Sequence, residues 1–500
     1  MYSDSNFTYI ELLTSDLLLE RKIALFLDLE ERYLSIEELA MKFDVSVKKI
    51  RRVVRLLQED ILEYNHHGFT FSICKSKGIL LKVPIDDDLK HFLAFITQKS
   101  PLIKMLEKIC LNDFGSVRDY AERYFFSEAT IRRRLKKIKR FLNQFDIDLA
   151  RETVVFEGDE QQIRYFMLLF FWRLYSGISW PFQYIDESEV EQIVNELITL
   201  NNKYNNEITR LEKRRMMYYI AIVKIRIRKK NTMSMLPAWE KAKINNDFFQ
   251  EFSQLFSSFN GSLCTKPAEI SLHYEIWKSC SWVPNVKAAF DVEKNNGSEP
   301  AKASILFFDY FKEHFFEMTE AEKESATEFI FCIHTLCFNF KKFKSDINGY
   351  YYYRRIQKYY PKLKLRLEHF IDVLYEQSGY SLFLEKNFLV THYSMLFSHL
   401  KRINEYERTI HVTIETELPN MLSELLYDQV YGMFSRKYNI YLDSPNKADA
   451  KEKADVILTT VPLRETKSVL TEKNIVAINR ELKKADIRKI EYVFDRILQD

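Results

Sequence analysis

The stretch SEATIRRRLKKIKRFL at residues 127–142 carries seven Lys or Arg and one acid, Glu128. Fixed cations at this density suit one kind of chemistry, the neutralisation of a polyanion with release of its counterions. Among them, Ile131, Leu135, Ile138 and Leu142 keep helical order. At about 100° per residue these four share an arc of about 60°, with Arg133, Lys136, Lys137 and Arg140 opposite. Arg132 and Lys139 flank that face, and Arg134 lies near the apolar edge, placed to pack its stem and expose its head. In a DNA groove, Glu128, Thr130, Arg132 and Arg133 would meet base edges, and Lys136 and Lys137 would follow the groove. Lys139 and Arg140 fit phosphates, and Ser127 would cap the helix and set its N-terminus beside a phosphate. The plain alternative is an amphipathic helix with a solvated face.

Such a helix needs a partner to hold it, and the chain supplies one twice. In LSIEELAMKFDVSVKKIRRVVRLLQED, from Leu34, Ser35 caps a short helix and Glu38 completes a capping box. Asp44 and Val45 make a tight turn, and Ser46 caps a second helix reaching about Asp60. Ala40 permits close crossing, and Ile50, Val53, Val54 and Leu57 form the buried stripe. Lys48, Arg51, Arg52 and Arg55 lie opposite. At 116–142, Ser116 caps a short helix containing Ala121, Phe125 and Phe126 turn the chain, and Ser127 caps the basic helix. Ala40 to Ile50 is ten residues, as is Ala121 to Ile131. Short helix, turn and basic second helix is the helix-turn-helix plan, whose second helix can enter a major groove.

After the first unit, FTFSI and ILLKV around KSKG predict a β-hairpin, a wing with Lys75 and Lys77 at its tip. His66 and His67, beside Gly68, read as a turn rather than a metal site. After the second unit, FDIDLARETVVFEGDEQQIRYF predicts two short β segments and a new helix.

The remainder sets bounds. At 500 residues the chain suggests about three to five domains. Only 10 Gly and 11 Pro favour helices with short connections, and a net charge of +3 makes charge distribution, not total, the informative quantity. Six scattered Cys show no CxxC pairing, so neither a disulfide framework nor a zinc site is expected. The N-terminus lacks a signal-peptide pattern, and the most apolar run, YFMLLFFW, is far short of a membrane span. A cytoplasmic, metal-free protein without cofactor is expected. Phosphate-loop, dinucleotide, HExxH and GxSxG motifs are absent, so we expect no enzyme.

At VVFEGDEQQIRYF a β segment ends in Gly158-Asp159-Glu160, and a helix follows with Ile163 and Arg164. This resembles the junction before the regulatory domains of the Mga/AtxA-like regulators and the wider phosphotransferase-regulated family. The resemblance implies a mainly α, multidomain chain. It places winged helix-turn-helix units at 1–84 and 85–160, helical PRD-like domains at 161–292 and 303–406, and an EIIB-like α/β domain at 407–500. Residues 161–290 and a block reaching about 406 are indeed helical in pattern, with DVEKNNGSEPAK at 291–302 as the best linker. The last part alternates apolar strands and helices, indicating a small parallel sheet.

The resemblance further implies duplex DNA as partner, dimers or higher oligomers, and a phosphoacceptor histidine served by the phosphocarrier of a sugar phosphotransferase system. The first helical block has no His before His273. In the second, His392 and His399 lie seven residues apart on one helical face, spaced for a shared exposed site, and His392 is preferred. His334, in an apolar helix, reads as a core histidine but stays a candidate. Component B of the transporters carries a phosphorylated Cys after its first strand. Here that loop ends Thr416-Glu417-Leu418-Pro419 and no Cys follows Cys337, so the domain is expected to serve self-association. Two rivals remain open: an RNA-binding antiterminator-like regulator, which would begin with a short all-β module, and a non-catalytic protein-interaction scaffold.

Overall fold

The computed structural model describes residues 10–65, 68–84, 89–259, 263, 265–349, 353–443, 454–461 and 474–498. The adjacent histidines His66 and His67 lie outside them. The architecture is predominantly helical and multidomain, with a small C-terminal α/β domain on a parallel sheet. It divides into two compact units, residues 1–304 with 327–349, and residues 305–326 with 350–500.

In the first unit, helices α1 (Ser15–Glu30), α2 (Ile36–Phe43) and α3 (Val47–Tyr64) precede the antiparallel pair β1 (Thr70–Cys74) and β2 (Gly78–Lys82). Helix α4 (Leu89–Gln98) closes their core: its Leu89, Phe92, Leu93 and Ile96 join Ile23, Leu39, Ile50, Val53, Leu57 and Ile79. The hairpin is fastened to the helices by Leu34 and Ile79, which exchange backbone hydrogen bonds of 2.9 and 2.8 Å. Gly78 permits this approach. Its φ is +103°, and a Cβ there would collide with the Leu34 carbonyl.

Ser35 caps α2 through the Glu38 amide at 3.0 Å, as the sequence predicts. The expected reciprocal bond is replaced, because the Glu38 carboxylate pairs with Arg32. An ion pair competes well with a neutral amide for that carboxylate. Helix α3 also runs four residues beyond Asp60, ending at Asn65 in the left-handed region.

Helices α5 (Pro101–Cys110), α6 (Val117–Arg123) and α7 (Glu128–Leu142) follow, with the short antiparallel pair β3 (Asp148–Leu149) and β4 (Phe156–Glu157). The helical block comprises α8 (Glu160–Tyr175), α9 (Glu187–Lys203), α10 (Arg210–Arg228), α11 (Asp247–Ser258), α12 (Pro267–Ser279) and α13 (Val286–Asn296). Helix α8 is buried almost all round, from Gln162 to Trp172, which accounts for its continuous apolar run. Among the described residues no helix is long and apolar enough to cross a membrane.

Residues 291–302, read from composition as the best linker, are largely helical. Asp291–Asn296 complete α13, and Glu299–Lys302 begin α14 (Glu299–His314), with Gly297 and Ser298 between. Gly297, at φ +69°, acts as a helix stop, and Ser298 closes on the buried Glu293 carboxylate at 2.7 Å.

Helix α15 (Glu320–Asn339) follows α14. The second unit contains α16 (Tyr353–Tyr359), α17 (Pro361–Ser378) and α18 (Lys386–Leu400). Phe307, Phe311, Phe370, Tyr393 and Phe397 form its aromatic core. The α/β domain comprises β5 (Ile410–Glu415), α19 (Asn420–Phe434), β6 (Ile440–Asp443), β7 (Val456–Thr459), β8 (Asn474–Ala477) and α20 (Lys484–Ile497). Its four parallel strands run in the order β6-β5-β7-β8, with α19 and α20 contributing Leu426, Val430, Ile490 and Phe494 to the core.

Candidate nucleic-acid interface

Two helix-turn-helix pairs are present, α2–α3 and α6–α7, and their turns share one hydrogen-bond plan. The Val45 N–H donates to the Ala40 carbonyl at 3.1 Å, and the Phe126 N–H to the Ala121 carbonyl at 2.9 Å. The residue before each is left-handed, Asp44 at φ 52° and Phe125 at φ 57°. Helix α6 has a full capping box: Ser116 accepts from the Asp119 amide, and Asp119 accepts from the Ser116 amide. The Ser116 hydroxyl, which donates to the Asp119 carboxylate at 2.7 Å, and then the Ser116 amide hold that carboxyl below its ordinary range.

Ser127 caps α7 through the Thr130 amide at 3.2 Å, and the two hydroxyls lie 2.9 Å apart. Ile131, Ile138 and Leu142 are buried as the periodicity requires. Leu135 is only half-buried, and Phe141 takes the place expected of it. The Phe141 ring packs edge-on to Phe145 and to Phe166 of α8, at 5.5 and 6.1 Å. Arg134 is half-buried, with its guanidinium 4.2 Å above the Phe126 ring.

Of the residues singled out on α7, Ser127, Glu128, Arg132, Arg133, Lys136, Lys137 and Arg140 are exposed, and Thr130 and Lys139 half-buried. Arg132 pairs with Glu128 at 3.2 Å, and Lys139 with Asp148 of β3 at 2.8 Å. Partial burial raises the Asp148 carboxyl, but Lys139 holds it below its ordinary value overall. Exposed pairs of this kind are worth about 1 kcal/mol or less, so an incoming phosphate can replace the carboxylate.

On α3, Lys48, Arg51, Arg52 and Arg55 are all exposed, and Arg52 pairs with Asp16 of α1 at 2.6 Å. Lys75 and Lys77 occupy the tip between β1 and β2, exposed, with Lys77 5.9 Å over the Tyr33 ring. One feature that charge counting passes over is Phe125, which is 96% exposed. A left-handed backbone at a non-glycine residue costs about 1–2 kcal/mol. The signal was in the sequence: Asp44 and Phe125 each stand four residues after the helix-crossing alanine.

The histidines require a correction. His392 is 2% exposed, with Nδ1 bonded to the Phe388 carbonyl at 2.9 Å and its ring stacked on Phe388 at 3.9 Å. It therefore shares no exposed site with His399, which is at the surface. Helix α18 is buried on most sides, so seven-residue spacing did not guarantee a common solvent face. His334 is fully buried 2.9 Å from Ser304 Oγ, and burial pushes it down to about 3. His273 is also fully buried, against Tyr219, and is pushed down by burial and then by Arg164. Among the described residues no three His, Cys, Asp or Glu converge to hold a metal ion.

Residues 86–171 match the family model of the Mga helix-turn-helix domain. The match spans α4 to α7, the β3–β4 pair and most of α8, including Arg164. The chain is 23% identical over 494 residues to the capsule synthesis positive regulator AcpB of Bacillus anthracis, covering 94% of this chain and 96% of that one. It is 22% identical over 240 residues to the anthrax toxin expression trans-acting positive regulator of the same organism, covering 47% and 48%. With the capsule synthesis positive regulator AcpA, also of Bacillus anthracis, 22% identity extends over 199 residues, 40% of each chain. The chain thus spans about half the length of the toxin regulator that it matches, and nearly all of AcpB.

Proposed function

We propose that this protein is a duplex-DNA-binding transcriptional regulator, with α7 as main recognition helix and α3 and the β1–β2 tip in support. The observation that carries this reading is the basic face of α7, exposed along its length within the segment matching a helix-turn-helix domain. A-form RNA has a major groove too narrow and deep for such a helix, which favours B-form DNA. The relatives are described as positive regulators, which supports activation. Few Asn or Gln lie on the recognition helices, so DNA shape contributes to specificity.

In the same reading the two helical blocks act as PRD-like domains, and the C-terminal domain is EIIB-like and serves homodimerisation or higher assembly. Oligomeric state would respond to sugar supply through a phosphotransferase phosphocarrier in the cytoplasm. Of the three phosphoacceptor candidates only His399 is exposed.

The test is fluorescence anisotropy with duplex DNA from the gene's own upstream region and a matched RNA hairpin. Intact protein is compared with Arg132→Ala/Arg133→Ala and with Arg51→Ala/Arg52→Ala. Tight duplex binding, lost mainly with the first pair, is the expected result. Binding to neither nucleic acid by a folded protein would leave an interaction scaffold instead.

A further inference from the structure

We propose that Phe125 is a specificity-determining residue that touches thymine methyl groups in the major groove. Its ring is 96% exposed and its backbone sits at φ 57°, where Asn, Asp or Gly is the economical choice. The first helix-turn-helix has Asp44 there, with the same turn geometry, so the turn itself does not require an aromatic ring. Folding accounts for Phe126, which lies under Arg134, and for Tyr120, stacked on Phe114 and tilted against Tyr124, at 4.5 Å each. It does not account for Phe125.

The surroundings identify the occupant. Phe125 precedes the Ser127 cap by two residues, at the end of α7 from which a recognition helix meets base edges. Exposed Arg132 and Arg133 follow within the first two turns, so the surface continues into a face built for a polyanion. A protein partner would ask for a broad apolar patch, since stable interfaces bury about 1,200 Å² or more. Phe125 projects beyond its partly covered neighbours Tyr124 and Phe126, at 37% and 41% exposure, and three adjacent rings match a smaller target. In the major groove that target is the thymine C5-methyl, an apolar contact that Phe can make. The inference rests on the DNA-binding reading, and its test separates the two.

The experiment is a double-mutant cycle by fluorescence anisotropy. Intact protein and Phe125→Asn are each titrated with the upstream duplex and with the same duplex carrying deoxyuridine for thymidine, which removes the methyl groups. The expected result is a loss on the order of tenfold for Phe125→Asn on the natural duplex. Deoxyuridine should weaken the intact protein several-fold and leave the variant nearly unchanged. Because Asn tolerates the left-handed turn, the variant's Tm should rise by about 2 °C. Equal affinity of variant and intact protein, equal losses of both on methyl removal, or a fall in Tm would each overturn the proposal. No duplex binding by the intact protein would overturn the DNA reading itself, and this inference with it.

Discussion

Arg164 and Glu269 form an ion pair sealed from solvent, with Nη1 2.6 Å from Oε2, Nη2 3.1 Å from Oε1 and neither side chain exposed. The pair joins α8, inside the matched helix-turn-helix segment, to α12 of the helical block. Glu269 also accepts from the Met233 amide at 2.7 Å, and Arg164 donates to the Asn231 carbonyl at 3.0 Å. Burying two charges is tolerable only with such complete pairing. Glu269→Ala should therefore destabilise the protein by about 3–5 kcal/mol. Arg164→Met/Glu269→Met, which buries no unpaired charge, should recover much of the loss. Urea unfolding reads both; equal stability of Glu269→Ala and intact protein would contradict the sealed pair.

Phe141, not Leu135, anchors α7. Phe141→Ala should cost about 3–5 kcal/mol, and Leu135→Ala clearly less, because only the first opens a buried cavity between α7 and α8. Thermal unfolding of the two variants ranks them, and the reverse order would show that the helix is rotated from the position described.

Glu20 of α1 makes stability depend on pH. Burial, then the charge of Asp60, pushes its carboxyl up to about 9. A carboxyl raised in the folded state contributes stability that is complete below the unfolded value near 4.5 and lost as pH rises towards 9. Between pH 6 and pH 8.5 the intact protein should lose stability, and Glu20→Gln should lose less. Urea midpoints at the two pH values check this; parallel behaviour would show that Glu20 stays ionised in the fold.

His392 and His399 should separate cleanly. In the proposed phosphotransferase reading, transfer of phosphoryl groups from phosphoenolpyruvate through the phosphocarrier should persist in His392→Asn and fall in His399→Ala, since His392 is 2% exposed and its ring is stacked on Phe388. Radiolabel incorporation measures this, and loss of labelling in a stably folded His392→Asn would contradict the assignment.

Local signals carried much of the fold. Ser35, Ser46, Ser116 and Ser127 each precede an apolar-periodic run, and each accepts the expected amide. The hairpin around Lys75 and Lys77 and the parallel C-terminal sheet followed from alternation and from strand–helix order. The failures are tertiary. Glu38 turned to Arg32, from outside its helix; Phe141 displaced Leu135 because α8 lies on that side; and neighbouring elements buried His392. At 291–302 composition marks the break between two helices, at Gly297 and Ser298, but not how much of the stretch is helical. The exposed basic face of α7 was legible because exposed charge needs no partner to be seen. The sequence places Phe125 in the turn but does not show its exposure, because aromatic residues usually signal core.

The most direct test of DNA recognition by α7 is the salt dependence of duplex binding, with log K plotted against log salt concentration. Intact protein is compared with Lys136→Ala/Lys137→Ala/Arg140→Ala, which removes three exposed cations from the face. Each phosphate contact contributes about 0.9 to the slope, so the variant should be shallower by about 2–3 while remaining folded. An unchanged slope in the variant would contradict the account, because the duplex would then be held somewhere other than the basic face of α7.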